Sequence, residues 1–316
     1  MNQQPSVLVM MSTYNGERYL RDQIDSILIQ EDVDVTLFVR DDGSRDQTTS
    51  ILDAYQAEGK LRWYTGKNLG AAYSFWNLVE NGEKQLQDSI DLLDPHYDYY
   101  AFADQDDVWD PDKLWCGVRL LENQSISGPA LYYSKKRLVD KNLQPLLQQD
   151  WQIRTTSLGA NLINAHTSGC TFVMNQSLVR MLRKVHPAFL TMHDSWIARV
   201  ASAVGTVVYD ETPHMSYRQH GDNVVGGNRG ARAHWKKRIS SFFHGRYSHF
   251  RSRLAQQLYD GYADYMSDYN RKMVKAFADA PRSFLARLRL IFSNFPETQK
   301  KSEIPIMKLF ILFGLI

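Results

Sequence analysis

Apolar runs that end in polar turns, each followed by a helical repeat, recur along the first hundred residues and leave this chain few architectures. "SVLVMMSTY" (6–14) is continuous apolar sequence running into Asn15 and Gly16, and Tyr19, Leu20, Gln23, Ile24, Ile27 and Leu28 then recur at helical spacing. Unbroken apolar runs suit strands buried on both faces. "DVTLFVRDDGS" (34–44) precedes the helical "TTSILDAYQ", "LRWYTG" (61–66) precedes "GAAYSFWNLVENG" (70–82), and "YDYYAFADQDD" (97–107) ends in carboxylates. Further strands are predicted at 129–140, 169–175 and 207–211. This alternation predicts an α/β fold with a mostly parallel central sheet flanked by helices, whose ligands sit outside the carboxyl ends of the strands. Three polar clusters fall there, at 12–16, 40–44 and 104–107, and are predicted to converge.

Length and composition set the outer limits. The 316 residues, 43% of them hydrophobic, suffice for one large core with an appendage. Two cysteines, Cys116 and Cys170, cannot build a disulfide framework, and the N-terminus has no basic region followed by a long apolar stretch. The expectation is a cytoplasmic protein. Charge divides the chain, with a net −9 over residues 1–228 and +11 over 229–316. We expect a catalytic domain at 1–228 and a basic helical extension at 229–316.

The acidic turns carry the chemistry. Asp104 and Asp106 lie two apart, so in an extended segment they face the same side. Hard carboxylate oxygens suit Mg²⁺ or Mn²⁺, which fill the rest of their shell with diphosphate oxygens and water. Asp112, in "DPD", reads as a helix cap. Asp41 and Asp42 read either as turn and cap residues or, for Asp42, as a carboxylate accepting a hydrogen bond from a nucleotide. Asp194, in "HDSW", could cap the helix after it or serve as a base. Arg218 and Arg229 could reach phosphate oxygens, and His220 could bind the diphosphate or complete a metal shell. Trp109 and Trp196 could stack on sugars or lie in the core, and Cys170 reads as a buried small hydrophobe.

"VLVMMSTYNGERYLRDQIDSILIQ", "FVRDDGSRDQT", "NLGAAYSFWNLV", "FADQDDVWDPDKL", "TSGCTFVMN", "HDSW" and "YRQHGDNVVG" occur in one order and, over about residues 5–227, resemble the inverting glycosyltransferases of family 2, which share the GT-A fold. Within that family "DQDDVW" with "YRQHGDNVVG" is most similar to bacterial rhamnosyltransferases of O-antigen or cell-wall rhamnan synthesis. The resemblance implies roles by position. Ser12, Thr13, Tyr14 and Asn15 surround base and ribose, Asp42 contacts the base, and Asn68 and Gly70 lie near the nucleotide. Asp104 and Asp106 match the DxD motif, the first toward ribose and metal and the second on the metal, and Asp194 matches the catalytic base. Where some members carry Glu before that Asp, this chain has His193.

The resemblance implies transfer of L-rhamnose from dTDP-L-rhamnose to a saccharide or undecaprenyl-linked acceptor. Alternatives are a UDP-galactose or UDP-glucose transferase, a metal-dependent phosphohydrolase, or a silent nucleotide-sugar or glycan-binding module. The extension interleaves cations with Trp, Phe and Tyr and ends in the apolar "IMKLFILFGLI", too short to span a bilayer. It is expected to lie on an anionic membrane at the inner face of the cell membrane rather than to bind nucleic acid.

Overall fold

A computed structural model describes residues 4–90, 97–124, 127–147, 150, 152–219, 249–293 and 297–316. His220, Arg229 and the expected boundary between 228 and 229 lie outside the described residues.

The strands of the main sheet are β1 (Ser6–Thr13), β2 (Asp34–Asp41), β3 (Arg62–Thr65), β4 (Tyr99–Ala103), β6 (Ala130–Ser134), β8 (Val173–Asn175) and β9 (Thr206–Asp210), in the order β3-β2-β1-β4-β8-β6-β9. Only β8 runs against its neighbours. Parallel pairing needs crossovers, and these are α1 (Leu20–Leu28), α2 (Thr48–Ala57) and α3 (Ala71–Ile90). β1 is the hub. Its register sets Thr13 opposite Asp41 of β2 and Met11 opposite Ala103 of β4, so the three polar clusters leave the sheet along one edge, as the sequence predicts.

Alternation along β1 builds two cores. Val7, Val9 and Met11 pack with Leu20, Ile24 and Ile27 of α1 and with Leu114 and Val118 of α4 (Lys113–Glu122). Leu8 and Met10 point the other way, onto Trp76 and Val79 of α3 and Trp196 of α7 (His193–Val204). Fully burying such side chains contributes about 1.5–3 kcal/mol each. Two short helices, α5 (Leu158–Asn164) and α6 (Gln176–Leu182), complete this layer.

The sequence reading misses a second sheet. β5 (Val108–Trp109), β7 (Arg137–Val139) and β10 (Met215–Arg218) pair in the order β5-β10-β7, directly behind the 104–107 turn. The strand expected over 129–140 is broken after Ser134: the Lys135 N–H makes a last bond to the Asp210 carbonyl at the end of β9, and the Lys136 N–H turns away to the Asp150 carboxylate. The strand expected over 169–175 opens instead as a 3-10 turn, Gly169–Thr171.

Beyond the undescribed stretch come α8 (Phe250–Tyr262), α9 (Asp268–Asp279), α10 (Phe284–Phe292) and α11 (Ile304–Leu312). Leu254, Leu258 and Tyr262 of α8 bury against the same core as Trp196 and Val200. Among the described residues no helix is long and apolar enough to cross a membrane.

Candidate functional site

The two acids at the end of β2 have their charge answered inside the fold. Asp41 accepts from Thr13 Oγ1 at 3.1 Å, from the N–H of Gly43 at 3.0 Å and of Ser44 at 2.9 Å, and from the Ser44 hydroxyl. Asp42 is ion-paired with buried Arg40 and accepts the N–H groups of Leu69 and Gly70, both at 2.8 Å. Arg40 also donates to Ser74 Oγ and the Lys67 carbonyl at 2.8 Å, so strand β2 carries the 66–70 loop on one salt bridge. Gly70 adopts φ +74°, a left-handed conformation that favours glycine, which turns its N–H toward Asp42. Asn68 is exposed on the same loop.

The loop after β1 is clamped by the acidic segment. Gln105 accepts from the Tyr14 N–H at 2.8 Å and donates to its carbonyl at 3.1 Å. A Cβ on Gly16 would come within 2.3 Å of Gln105 Oε1, so the clamp needs glycine there. Asn15 donates its N–H to Ser44 Oγ and takes the Arg45 N–H, joining this loop to the β2 turn. Ser12 meets Ser74 hydroxyl to hydroxyl at 2.6 Å, Thr13 is buried, and the Tyr14 side chain is exposed.

Arg218, from β10, fixes the 104–107 turn from behind. Its N–H donates to Asp107 Oδ1 at 3.0 Å, and its guanidinium to the Asp106 carbonyl and the Lys141 carbonyl, both at 2.8 Å, and to Asp22 at 3.0 Å. The side chain is 2% exposed and lies over the Tyr19 ring. The structure therefore places Arg218 beneath the turn, with these hydrogen bonds directed inward.

Unlike the β2 acids, this cluster is not internally balanced. Burial first, then Asp106 and Asp194, raises the Asp104 carboxyl to about 7. Burial first, then Asp106 and Asp104, raises Asp107 well above the usual range, and one of its oxygens is buried with no hydrogen-bond partner. Ligand atoms of Asp104, Asp107 and Cys170 lie within 4.8 Å of one another. Carboxylates repelling at this distance, with an orphaned oxygen, are what a hard divalent cation would relieve, and the carboxylate oxygens, though not the Cys170 sulfur, suit Mg²⁺ or Mn²⁺. Lys113 offers little relief. It is buried against the Trp109 face, its ammonium 3.6 Å from the ring centroid, and burial lowers it to about 7.

Asp194 stands in the first turn of α7, buried, and near enough to Asp104 to raise it. Beside it, His193 stacks on Phe75 with ring centroids 4.2 Å apart and meets Phe102 edge-on at 5.3 Å. Burial lowers its imidazole to about 4, and neither ring nitrogen has a hydrogen-bond partner. The ring is neutral and lodged among aromatics. A Cβ on Gly169 would strike its Nε2 at 2.5 Å, so that glycine makes the berth.

With the strand order and the acidic edge in place, comparison with known proteins is decisive. Residues 8–185 match Glycosyl transferase family 2. The dTDP-rhamnosyl transferase RfbG of Shigella flexneri is 31% identical over 244 residues, covering 72% of this chain and 77% of that protein. The chain belongs to glycosyltransferase family 2. It is also 30% identical over 237 residues to the uncharacterized glycosyltransferase RP339 of Rickettsia prowazekii, covering 68% of this chain and 64% of that one. Residues 1–349 of S. aureus TarS, solved in complex with UDP, superpose with a TM-score of 0.54 at 15% identity, over 96% of this chain and 78% of that one. This likeness fits the GT-A architecture. The chain is thus a glycosyltransferase with a rhamnosyltransferase relative.

Against the sequence reading, this transferase brings Ser12, Thr13, Tyr14, Asn15, Asp42, Asn68 and Gly70 to one edge of the sheet and Asp104, Asp106 and Asp194 to one acidic centre. Arg40, Gln105, Asp107 and Lys113 are supporting residues that the reading passed over. Trp109 and Trp196 are core residues, each no more than 2% exposed, so neither offers a face to sugar. Cys170 is buried but touches the acidic centre, hydrogen-bonded to Asp104. Asp112 occupies the N-cap position of α4 yet makes no capping hydrogen bond, against expectation.

Proposed function

We propose that this glycosyltransferase moves L-rhamnose from dTDP-L-rhamnose, with inversion, onto a saccharide or an undecaprenyl-linked saccharide. The reading rests on one observation above others: an undercompensated carboxylate cluster at the end of β4 with Asp194 beside it. The donor follows from the relative named a dTDP-rhamnosyl transferase. Asp194 takes the proton of the acceptor hydroxyl as that oxygen attacks the anomeric carbon from the face opposite the departing nucleoside diphosphate. Asp104 and Asp106 would hold Mg²⁺ or Mn²⁺, with His220 completing the shell or touching the diphosphate. The cation, when bound, supplies Lewis-acid stabilisation of the leaving group.

Ser12, Thr13, Tyr14, Asn15, Asn68 and Gly70 frame base and ribose. A carboxylate has about four acceptor positions, and Arg40 and two amides take three of those on Asp42. The last suits the imide N–H of thymine or uracil. Arg218 acts as a positioning residue, holding the carbonyl of Asp106 and the carboxylate of Asp107 in place.

The domain at 1–228 carries this chemistry, and the extension at 229–316 brings it to an anionic membrane on the cytoplasmic side. Supporting this, α10 and α11 pack on each other and leave Phe284, Leu285, Phe292, Leu309, Phe313 and Leu315 exposed, Phe292 by 83%. Exposed Arg282, Arg289, Lys300 and Lys301 accompany them. Apolar side chains amid cations suit the headgroup boundary of an anionic bilayer.

Thermal stability against dTDP, UDP and their sugars, each with and without Mn²⁺, tests donor and metal together. A metal-dependent rise with the dTDP series supports the assignment, and a larger one with UDP sugars moves it to a hexosyl donor. Asp194→Asn should keep that shift while transfer falls by about 10²–10⁴-fold. Near-normal transfer would remove Asp194 as the base.

A further inference from the structure

A second cluster of metal-ligating side chains lies outside the acidic centre, where α4 begins and β10 approaches. Asp112 gives up the cap it is placed to make, an interaction typically worth about 1 kcal/mol. Instead Asp112 Oδ2 accepts from Cys116 Sγ at 3.4 Å, one helical turn on, and Oδ1 lies 3.5 Å from Nδ1 of buried His214. Ligand atoms of these three residues all lie within 4.8 Å of one another. The other ring nitrogen, Nε2, is 3.1 Å from Asp210 Oδ2, and Asp210 is itself held by Tyr132 Oη at 3.2 Å and the Thr212 N–H at 2.8 Å.

We propose that Asp112, Cys116 and His214 form a zinc site separate from the donor carboxylates, with Asp210 orienting the imidazole. Zinc bonds of about 2.0–2.3 Å in a tetrahedron put neighbouring donors about 3.3–3.8 Å apart, and the sulfur and the imidazole nitrogen each lie that far from one oxygen of the Asp112 carboxylate, Oδ2 and Oδ1 respectively. A mixed sulfur, nitrogen and oxygen set selects zinc over Mg²⁺ or Mn²⁺, which prefer oxygen alone. The carboxylate behind the imidazole fixes the tautomer, with hydrogen on Nε2 and the Nδ1 lone pair turned to the metal. Asp112 is exposed and gives entry, and the fourth position is left to water.

Such a site would fasten α4 to β10, the strand whose Arg218 holds the turn at Asp106 and Asp107.

The test uses the full chain stripped of metal and given one equivalent of Co²⁺. Expected are a sulfur-to-cobalt charge-transfer band and its loss on adding Zn²⁺. Cys116→Ser should abolish the band, whereas Asp106→Asn in the donor site should leave it. Asp112→Asn, at an exposed position that tolerates change, should weaken Zn²⁺ by at least about 10-fold while Mg²⁺-supported transfer continues, and Asp210→Asn should weaken it by about 10–100-fold. Absence of the band in the wild-type protein, or equal Zn²⁺ affinity in wild type and Asp112→Asn, would overturn the proposal. Both readouts survive if Cys116→Ser fails to fold.

Discussion

Two acidic turns leave the same edge of one sheet, and they are built to opposite ends. At the end of β2, Asp41 and Asp42 have their charge answered inside the fold, by Arg40, a threonine, a serine and four backbone N–H groups. After β4, Asp104 and Asp107 crowd each other, Asp106 and Asp194, with a buried oxygen unanswered. Residue type is the same in both places. What differs is whether the fold supplies the counter-charge: a turn whose charge is answered internally serves as scaffold, with one Asp42 acceptor position left for a neutral N–H, while an unanswered one is poised for a cation.

The sharpest way to break this contrast is Asp42→Ala. Removing one partner of a buried ion pair strands the other, at a cost of about 3–5 kcal/mol. Urea unfolding should show that loss together with release of the 66–70 loop. A loss under about 1 kcal/mol would mean that the β2 turn is not the scaffold.

Asp104→Asn should do the reverse. The fold holds this carboxyl at about 7, against about 3.9 for an ordinary Asp. Its ionisation therefore costs the folded state nothing below about pH 4, progressively more up to pH 7, and the full amount above. The metal-free variant should gain about 1–2 kcal/mol at pH 8, after allowance for its partly accessible side chain, and nothing at pH 3. Transfer should be lost. Stability unchanged across that pH range would show that the β4 cluster is balanced after all.

The smallest effect probes the link between the turns. Gln105→Ala removes both bonds to the Tyr14 backbone and should cost about 1 kcal/mol, with weaker donor binding in titration calorimetry. No change in either would mean that the loops stand independently.

Much of this was legible in sequence because the parallel strands are long, apolar and buried on both faces, and because strand ends in such sheets share an edge. The three-stranded sheet was not. Val108–Trp109 is two residues long and pairs with Met215 and Ser216 a hundred positions on, a contact with no local pattern. Reading Asp104 and Asp106 as facing one way assumed an extended chain, but the chain bends at 104–107, and Asp107 becomes the most deeply buried of the group. Arg40 looked like an ordinary strand residue, and only the fold brings Asp42, Ser74 and Lys67 around it. His193 drew attention by its position next to Asp194, yet its character is set by Phe75, Phe102 and Gly169, none of them near in sequence.

The support that Arg218 gives to the acidic turn bears on how the protein comes into being. A ribosome that has translated as far as residue 110 has already made every carboxylate of the 104–107 segment, but the arginine that seats them lies more than a hundred codons downstream. Until then the turn has no β10 behind it and no guanidinium between Asp22, the Asp106 carbonyl and the Lys141 carbonyl. A nascent chain of that length therefore carries the acids without their seat, which arrives only with β10, the last strand among the described residues.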